Sequence, residues 1–193
     1  LEKSLHKIKI SDEELIRHYL ETQNSKYFEQ LYGKYSTKVF SKCISLLKDE
    51  GRAQDATQDI FLKIFLNLSK FGGKSKFSTW IYSITYNYCI DLIRKKKKSG
   101  NIFSDEIERA PDLAEEVPDS ALLEMEVKKL KIVLDIIPVG DKAVLLMKYQ
   151  DDMSIREISE TLNKSESAIK MKLKRAKHKA QKVYEDKFKQ NQL

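Results

Sequence analysis

One stretch of this chain is unsuited to a helical core. Residues 100–119 carry seven acidic side chains and one basic one, together with Pro111 and Pro118 and an entry of Gly100, Asn101 and Ser104. They keep no apolar period, and structureless segments of this length are uncommon inside a compact domain. The expectation is a flexible acidic linker over 99–119, with one module at 1–98 and another at 120–193. A solvated loop within a single domain is the alternative. The formal net charge of +7 divides accordingly: +8 over residues 1–99, −6 over 100–119 and +5 over 120–193. Two basic modules around an anionic tether suit a nucleic-acid partner better than the net figure alone.

Both modules read as helical, so the fold class is all-α: two small helical domains joined by the tether. Glycine is scarce, at six residues, and apolar side chains recur at three and four rather than at two. In the first module the stripes are Leu15, Ile16, Tyr19 and Leu20; Phe28 to Val39, extended by Cys43, Leu46 and Leu47; Ile60 to Phe71; and Trp80 to Ile93. Four such stripes close a small bundle, whereas none could bury its face alone. In the second module one helix is expected from Leu122 to Ile137, ended by Pro138 and Gly140, with three shorter segments after it. The two cysteines, Cys43 and Cys89, fall among apolar positions and read as buried thiols of a reducing cytoplasm. No apolar run approaches the roughly 18 residues of a membrane span, and Leu1 to Ile10 lacks the apolar core of a secretory signal.

The segment Ser154 to Leu162 opens with a capping box, Ser154 with Glu157 three residues on. Asn163-Lys164-Ser165 forms a short turn, Asn163 suiting a left-handed cap. A second helix then runs from Glu166 to about Tyr184, its stripe Ile169, Leu173, Ala176 and Ala180 facing back onto Ile155, Ile158 and Leu162. Residues 165–193 hold nine basic and three acidic side chains. Two helices, a tight turn and a basic second helix are the parts that major-groove insertion needs.

In the first module a basic, glycine-containing loop, Phe71 to Trp80, precedes a helix with Trp80, Tyr82, Tyr86 and Tyr88 that ends in Arg94 and four lysines. Trp80 and Tyr88 point one way and Tyr82 and Tyr86 another. Since a core needs one face, the other could stack unpaired bases beside cations; packing of all four in the core is the alternative. Gln54, Asp55, Gln58 and Asp59 give the third helix a polar face that suits protein docking, or simply places charges near the N-terminal end of the helix. With only His6, His18 and His178, the chain shows no catalytic pair, no metal-ligand set and no phosphate-cradling glycine motif, so neither cofactor nor metal is expected.

Three of these segments resemble bacterial sigma factors. Asp55-Ala56-Thr57-Gln58-Asp59-Ile60-Phe61-Leu62-Lys63-Ile64-Phe65 is similar to the polymerase-binding helix of sigma-70 region 2. Phe71 to Ile84, followed by Asn87, Asp91 and Arg94, resembles the promoter-melting segment of the extracytoplasmic-function (ECF) group, and Ile158 to Ala176 resembles that group's region 4. The resemblance implies a non-catalytic initiation subunit. It places Gln54, Asp55, Gln58, Asp59, Leu62 and Lys63 on the clamp of the largest polymerase subunit. It places Gly73, Lys74, Ser75, Lys76, Phe77, Trp80, Tyr82, Tyr86, Asn87 and Arg94 at the melted minus-10 strand. Ser165, Ser167, Lys170, Met171, Lys172, Lys174, Arg175 and Lys177 fall at the minus-35 duplex. Region 4 would also dock on the flap of the second-largest subunit, the acidic linker would thread the polymerase channels, and an anti-sigma factor, often membrane-bound, would hold the free protein. Ser167-Ala168 stands where many relatives have Gly-Thr, and lysines stand where arginine is common, so the minus-35 sequence does not transfer.

Two other functions fit parts of the pattern. An autonomous helix-turn-helix regulator would bind duplex DNA stably without polymerase, and a nucleic-acid enzyme using Asp55 and Asp59 would need a divalent metal and turn over.

Overall fold

The computed structural model describes residues 10–97 and 117–188. Among them the regular elements are helices: α1 (Asp12–Thr22), α2 (Ser25–Leu47), α3 (Glu50–Asn67), α4 (Phe77–Lys97), α5 (Ser120–Leu123), α6 (Val127–Ile136), α7 (Val139–Leu145), α8 (Ile155–Leu162) and α9 (Glu166–Phe188). A 3-10 turn, Leu68–Lys70, follows α3, and a π turn, Leu146–Gln150, follows α7. They fall into two compact units divided within α4, after Tyr88. Most of the acidic segment expected to be a linker, up to residue 116, lies outside the described residues.

In the first unit the helices start where polar side chains satisfy their free amides. Ser11 and Glu14 form a capping box on α1: the Glu14 amide donates to Ser11 Oγ at 3.1 Å and the Ser11 amide to Glu14 Oε2 at 2.9 Å. Those contacts with Ser11 hold the Glu14 carboxyl below its ordinary range. The Asn24 side chain caps α2 by accepting from the Lys26 amide, and that of Asp49 caps α3 by accepting from the Arg52 amide. Gln23 and Lys48 close α1 and α2 in left-handed conformation, φ 55° and 54°, which allows reversals without glycine. Leu31, Val39, Cys43, Ala53, Ile60, Ile64, Phe77, Ile81 and Tyr86 form the core. Tyr19, Phe28 and Phe65 join α1, α2 and α3 through ring contacts of 5.1–5.9 Å.

The third helix ends at Asn67 rather than running to Phe71, because Leu68 buries through the tighter 3-10 turn. The fourth begins at Phe77 instead of Trp80, since Phe77 is buried and stacks on Trp80 at 5.7 Å.

The second unit is built around α9, against which α5, α6, α7 and α8 all pack. The single helix expected from Leu122 to Ile137 is in fact two. Extended backbone at Glu126 (φ −55°, ψ 133°) breaks it, with Leu122 and Met125 buried before the break and Val133 and Ile137 after it. Pro138 does end α6, and it stands just before α7, where its missing amide costs nothing. Gly140, expected to help end a helix, is instead buried inside α7.

Candidate nucleic-acid interface

The turn between α8 and α9 follows from local chemistry. The Ser154–Glu157 capping box forms, with the Glu157 amide 3.1 Å from Ser154 Oγ and the Ser154 amide 2.8 Å from Glu157 Oε2. Asn163 takes the left-handed conformation at φ 51°, and Ser165 Oγ accepts from the Ala168 amide at 3.2 Å. Ile158 and Ile169 are buried on either side of this turn, so α8 fixes how α9 is presented. At about 100° per residue, Ser167, Lys170, Met171 and Lys174 share one outward face of α9. Ser165, Ser167, Lys170 and Met171 are exposed and Lys174 is half-buried. Arg175 Nε is buried and has no hydrogen-bond partner among the described residues. A buried donor in that condition costs roughly 1–3 kcal/mol.

Two other lysines expected on the DNA have protein partners. Lys177 is buried and donates to Asp119 Oδ1 at 2.7 Å, and Lys172 Nζ lies 2.8 Å from Oδ1 of Asp141, whose side chain is 1% exposed. Asp141 Oδ2 also takes Lys179 Nζ at 3.2 Å. Asp119 accepts a second bond from the Tyr149 hydroxyl at 2.8 Å. Lys177 and then Tyr149 hold the Asp119 carboxyl below the usual carboxylate range, while burial and that bond push the Tyr149 phenol up. Asp119, expected at the end of the linker, is thus tied to the second unit.

In the first unit, Gly73, Lys74 and Lys76 are exposed in the loop before α4, and Ser75 is half-buried. Gly73 has φ 66°. Trp80 and Phe71 are half-buried at the edge of this loop with rings 5.6 Å apart, and Asn87 is exposed on the same side of α4 as Trp80. Arg94, further along α4, is exposed and pairs with Asp91 at 3.2 Å.

Phe77, Tyr82 and Tyr86 are buried, so the expectation that Tyr82 and Tyr86 offer open faces to bases is corrected. They are core because α2 packs on that face. Tyr35 meets Phe77 edge-on at 5.7 Å, and the buried Lys42 ammonium lies 4.3 Å from the Tyr82 ring centre and 5.6 Å from that of Tyr86. The half-exposed aromatic face is that of Trp80 and Tyr88.

On α3, Gln54, Asp55, Gln58, Asp59, Leu62 and Lys63 are all exposed, and Leu66 extends the same face at 65% exposure. Asp59 accepts from the Tyr88 hydroxyl, and Lys63 Nζ lies 4.6 Å from the Tyr88 ring centre. Among the described residues no group of His, Cys, Asp and Glu could hold a metal ion, and no helix is long and apolar enough to cross a membrane.

The family described as Sigma-70 region 2 matches residues 31–99, and that described as Sigma-70, region 4 matches residues 133–179. The ECF RNA polymerase sigma factor SigW of Bacillus subtilis (strain 168) is 30% identical over 167 residues, which are 82% of this chain and 89% of SigW. The chain is an ECF sigma factor of the sigma-70 family. SigM of the same organism is 26% identical over 81% of this chain and 94% of its own length. Two solved structures share the fold. CnrH in complex with the cytosolic domain of CnrY has a TM-score of 0.62 at 20% identity, covering 91% of this chain and 98% of CnrH. RpoE in complex with the anti-sigma factor NepR from Bartonella quintana has a TM-score of 0.60 at 17% identity, covering 84% and 99%. This sigma factor therefore acts in transcription initiation by RNA polymerase.

Several residues of this sigma factor escaped sequence reasoning. Lys42 falls on the buried stripe with Val39, Cys43 and Leu46, a spacing that foretold its burial but not its place between two tyrosines. The roles of Asp119 and Asp141 gave no local signal, because their lysine partners lie far off in the chain.

Proposed function

We propose that this sigma factor reads minus-35 duplex DNA with α9 and captures unpaired minus-10 bases around the loop before α4. The observation that carries the reading is the outward face of α9, where Ser167, Lys170, Met171 and Lys174 stand beside the unsatisfied Arg175 Nε. The hydroxyl, ammonium and guanidinium groups supply donors for base edges and phosphates, and Met171 supplies an apolar surface for a thymine methyl. Gly73 to Lys76 bring cations and free backbone to the rim where Phe71 and Trp80 are half-buried, so a flipped base has a ring to stack on. Opening then needs no covalent step. Binding to the unpaired strand offsets the few kcal/mol, roughly, of unstacking.

The exposed α3 face, polar at Asp55 and Gln58 and apolar at Leu62 and Leu66, supports docking on the clamp of the largest polymerase subunit. Val127, Ile132 and Ile136 are exposed on α6 and support docking of the second unit on the flap of the second-largest subunit. An anti-sigma partner that covers such faces fits the company in which RpoE was solved. Through it the protein is held in the cytoplasm, at the inner membrane where the partner is membrane-bound.

In vitro transcription with purified core polymerase and a promoter library tests the whole reading. New, promoter-dependent start sites are expected on adding the protein, and their absence sinks it. The pair Lys170→Ala and Arg175→Ala is expected to lower minus-35 discrimination by about tenfold or more while core affinity stays the same. A parallel loss of core affinity counts against the assigned role.

A further inference from the structure

The recognition helix α9 carries eight cations, at Lys170, Lys172, Lys174, Arg175, Lys177, Lys179, Lys182 and Lys187. A helix with so many charges risks binding any duplex, because each neutralised phosphate adds to affinity without regard to sequence. Three of the eight are held by carboxylates of the protein itself. Lys177 is bound by Asp119 at 2.7 Å, and Lys172 and Lys179 by the two oxygens of Asp141 at 2.8 and 3.2 Å. Along α9, Lys177 lies on one flank of the outward face, and Lys172 and Lys179 lie on the other. Those flanks are where an inserted helix passes the two phosphate strands.

We infer that Asp119 and Asp141 are specificity-determining positioning residues, which withhold Lys172, Lys177 and Lys179 from DNA phosphates and leave base contact to the outward face. The inference rests on the reading of α9 as the minus-35 helix. The anchoring is one of position as well as charge. Asp141 is buried on α7 and ties two lysines seven residues apart, so it fixes the length of α9 between them against α7. Asp119 is braced by the Tyr149 hydroxyl, which keeps its carboxylate aimed at Lys177. Specificity is a ratio of sequence-specific to non-specific affinity. Removing three cations from the non-specific term raises that ratio without any new base contact.

The test measures binding of the full chain, assembled with purified core polymerase, to two duplexes by fluorescence anisotropy over a KCl series, with core polymerase alone as the baseline. One duplex has mixed sequence, and the other is selected from a random pool by the wild-type assembly. A freed lysine that reaches a phosphate steepens the slope of log K against log salt by about 0.9, which is roughly a threefold larger loss of affinity between 50 and 200 mM. Asp119→Asn should add about one such step and Asp141→Asn up to about two, each tightening mixed-sequence binding more than selected-sequence binding. Asp119→Glu should keep the wild-type slope. The double variant Asp119→Asn with Lys177→Met should return to it, which a merely structural role for Asp119 would not produce. Asp119 is half-exposed, so its variants carry the test even where Asp141→Asn loses its fold.

A slope unchanged in Asp119→Asn, or one still steep in the double variant, overturns the inference while the DNA reading stands. Absence of salt-dependent, sequence-selective binding by the wild-type chain with core polymerase overturns both.

Discussion

Gly73 shows how much a single residue can contribute through its backbone. A Cβ built there meets nothing within 4 Å, so space does not call for glycine, but the φ of 66° favours it. An L-residue pays about 1–2 kcal/mol for the left-handed region. Gly73→Ala should therefore cut open-complex formation about fivefold or more while affinity for core polymerase holds, as read by single-stranded thymine reactivity at minus 10. An unchanged opening would show that the left-handed turn is not used in base capture. The lysines teach the complementary lesson. From sequence, Lys170, Lys172, Lys174 and Lys177 are equivalent cations on one helix, yet Lys177 is buried on Asp119 and Lys172 is paired with Asp141. The partners sit 58 and 31 residues away in the chain, beyond the reach of any local pattern.

At the scale of the element, α8 and its turn were legible because their determinants are local. The capping box spans four residues, the left-handed Asn163 is one residue, and both form as the sequence indicates. Losing the box should matter to α9 as well, since α8 packs on it. Ser154→Ala is expected to destabilise the second unit by about 1 kcal/mol, read by denaturant unfolding, with minus-35 binding weakened in step. A stability equal to wild type would show that the cap contributes nothing net. The α4 helix is the contrary case. Its periodicity separates Trp80 and Tyr88 from Tyr82 and Tyr86, but nothing along the helix says which pair faces inward. Tyr35 and Lys42 of α2 decide that, by packing on Phe77, Tyr82 and Tyr86.

For the whole molecule, division into two units makes stability a property of each part. Ile60 and Ile158 are both fully buried, one in each unit. Ile60→Ala and Ile158→Ala should each cost about 2–5 kcal/mol. Calorimetry or denaturant unfolding should show the first variant lowering one transition and the second lowering another. A single transition moved equally by both would mean that the chain unfolds as one cooperative body. Family membership was also legible at this scale, because three motifs in order survive substitution of the residues between them. The break at Glu126 and the burial of Gly140 within α7 were not. Both depend on how α6 and α7 meet α9, a fit among side chains distant in sequence.

The helical class, the capped turn before α9, the uneven charge and the sigma-factor family were readable along the chain alone. Each of these depends on neighbours within a turn or two, or on composition over a segment. Which aromatic face of α4 is core, and which lysines of α9 are tied to carboxylates of the protein, emerged only from the packing of helices. Burial and ion pairing are relations between elements, and a linear pattern carries the groups that form them without showing which will meet.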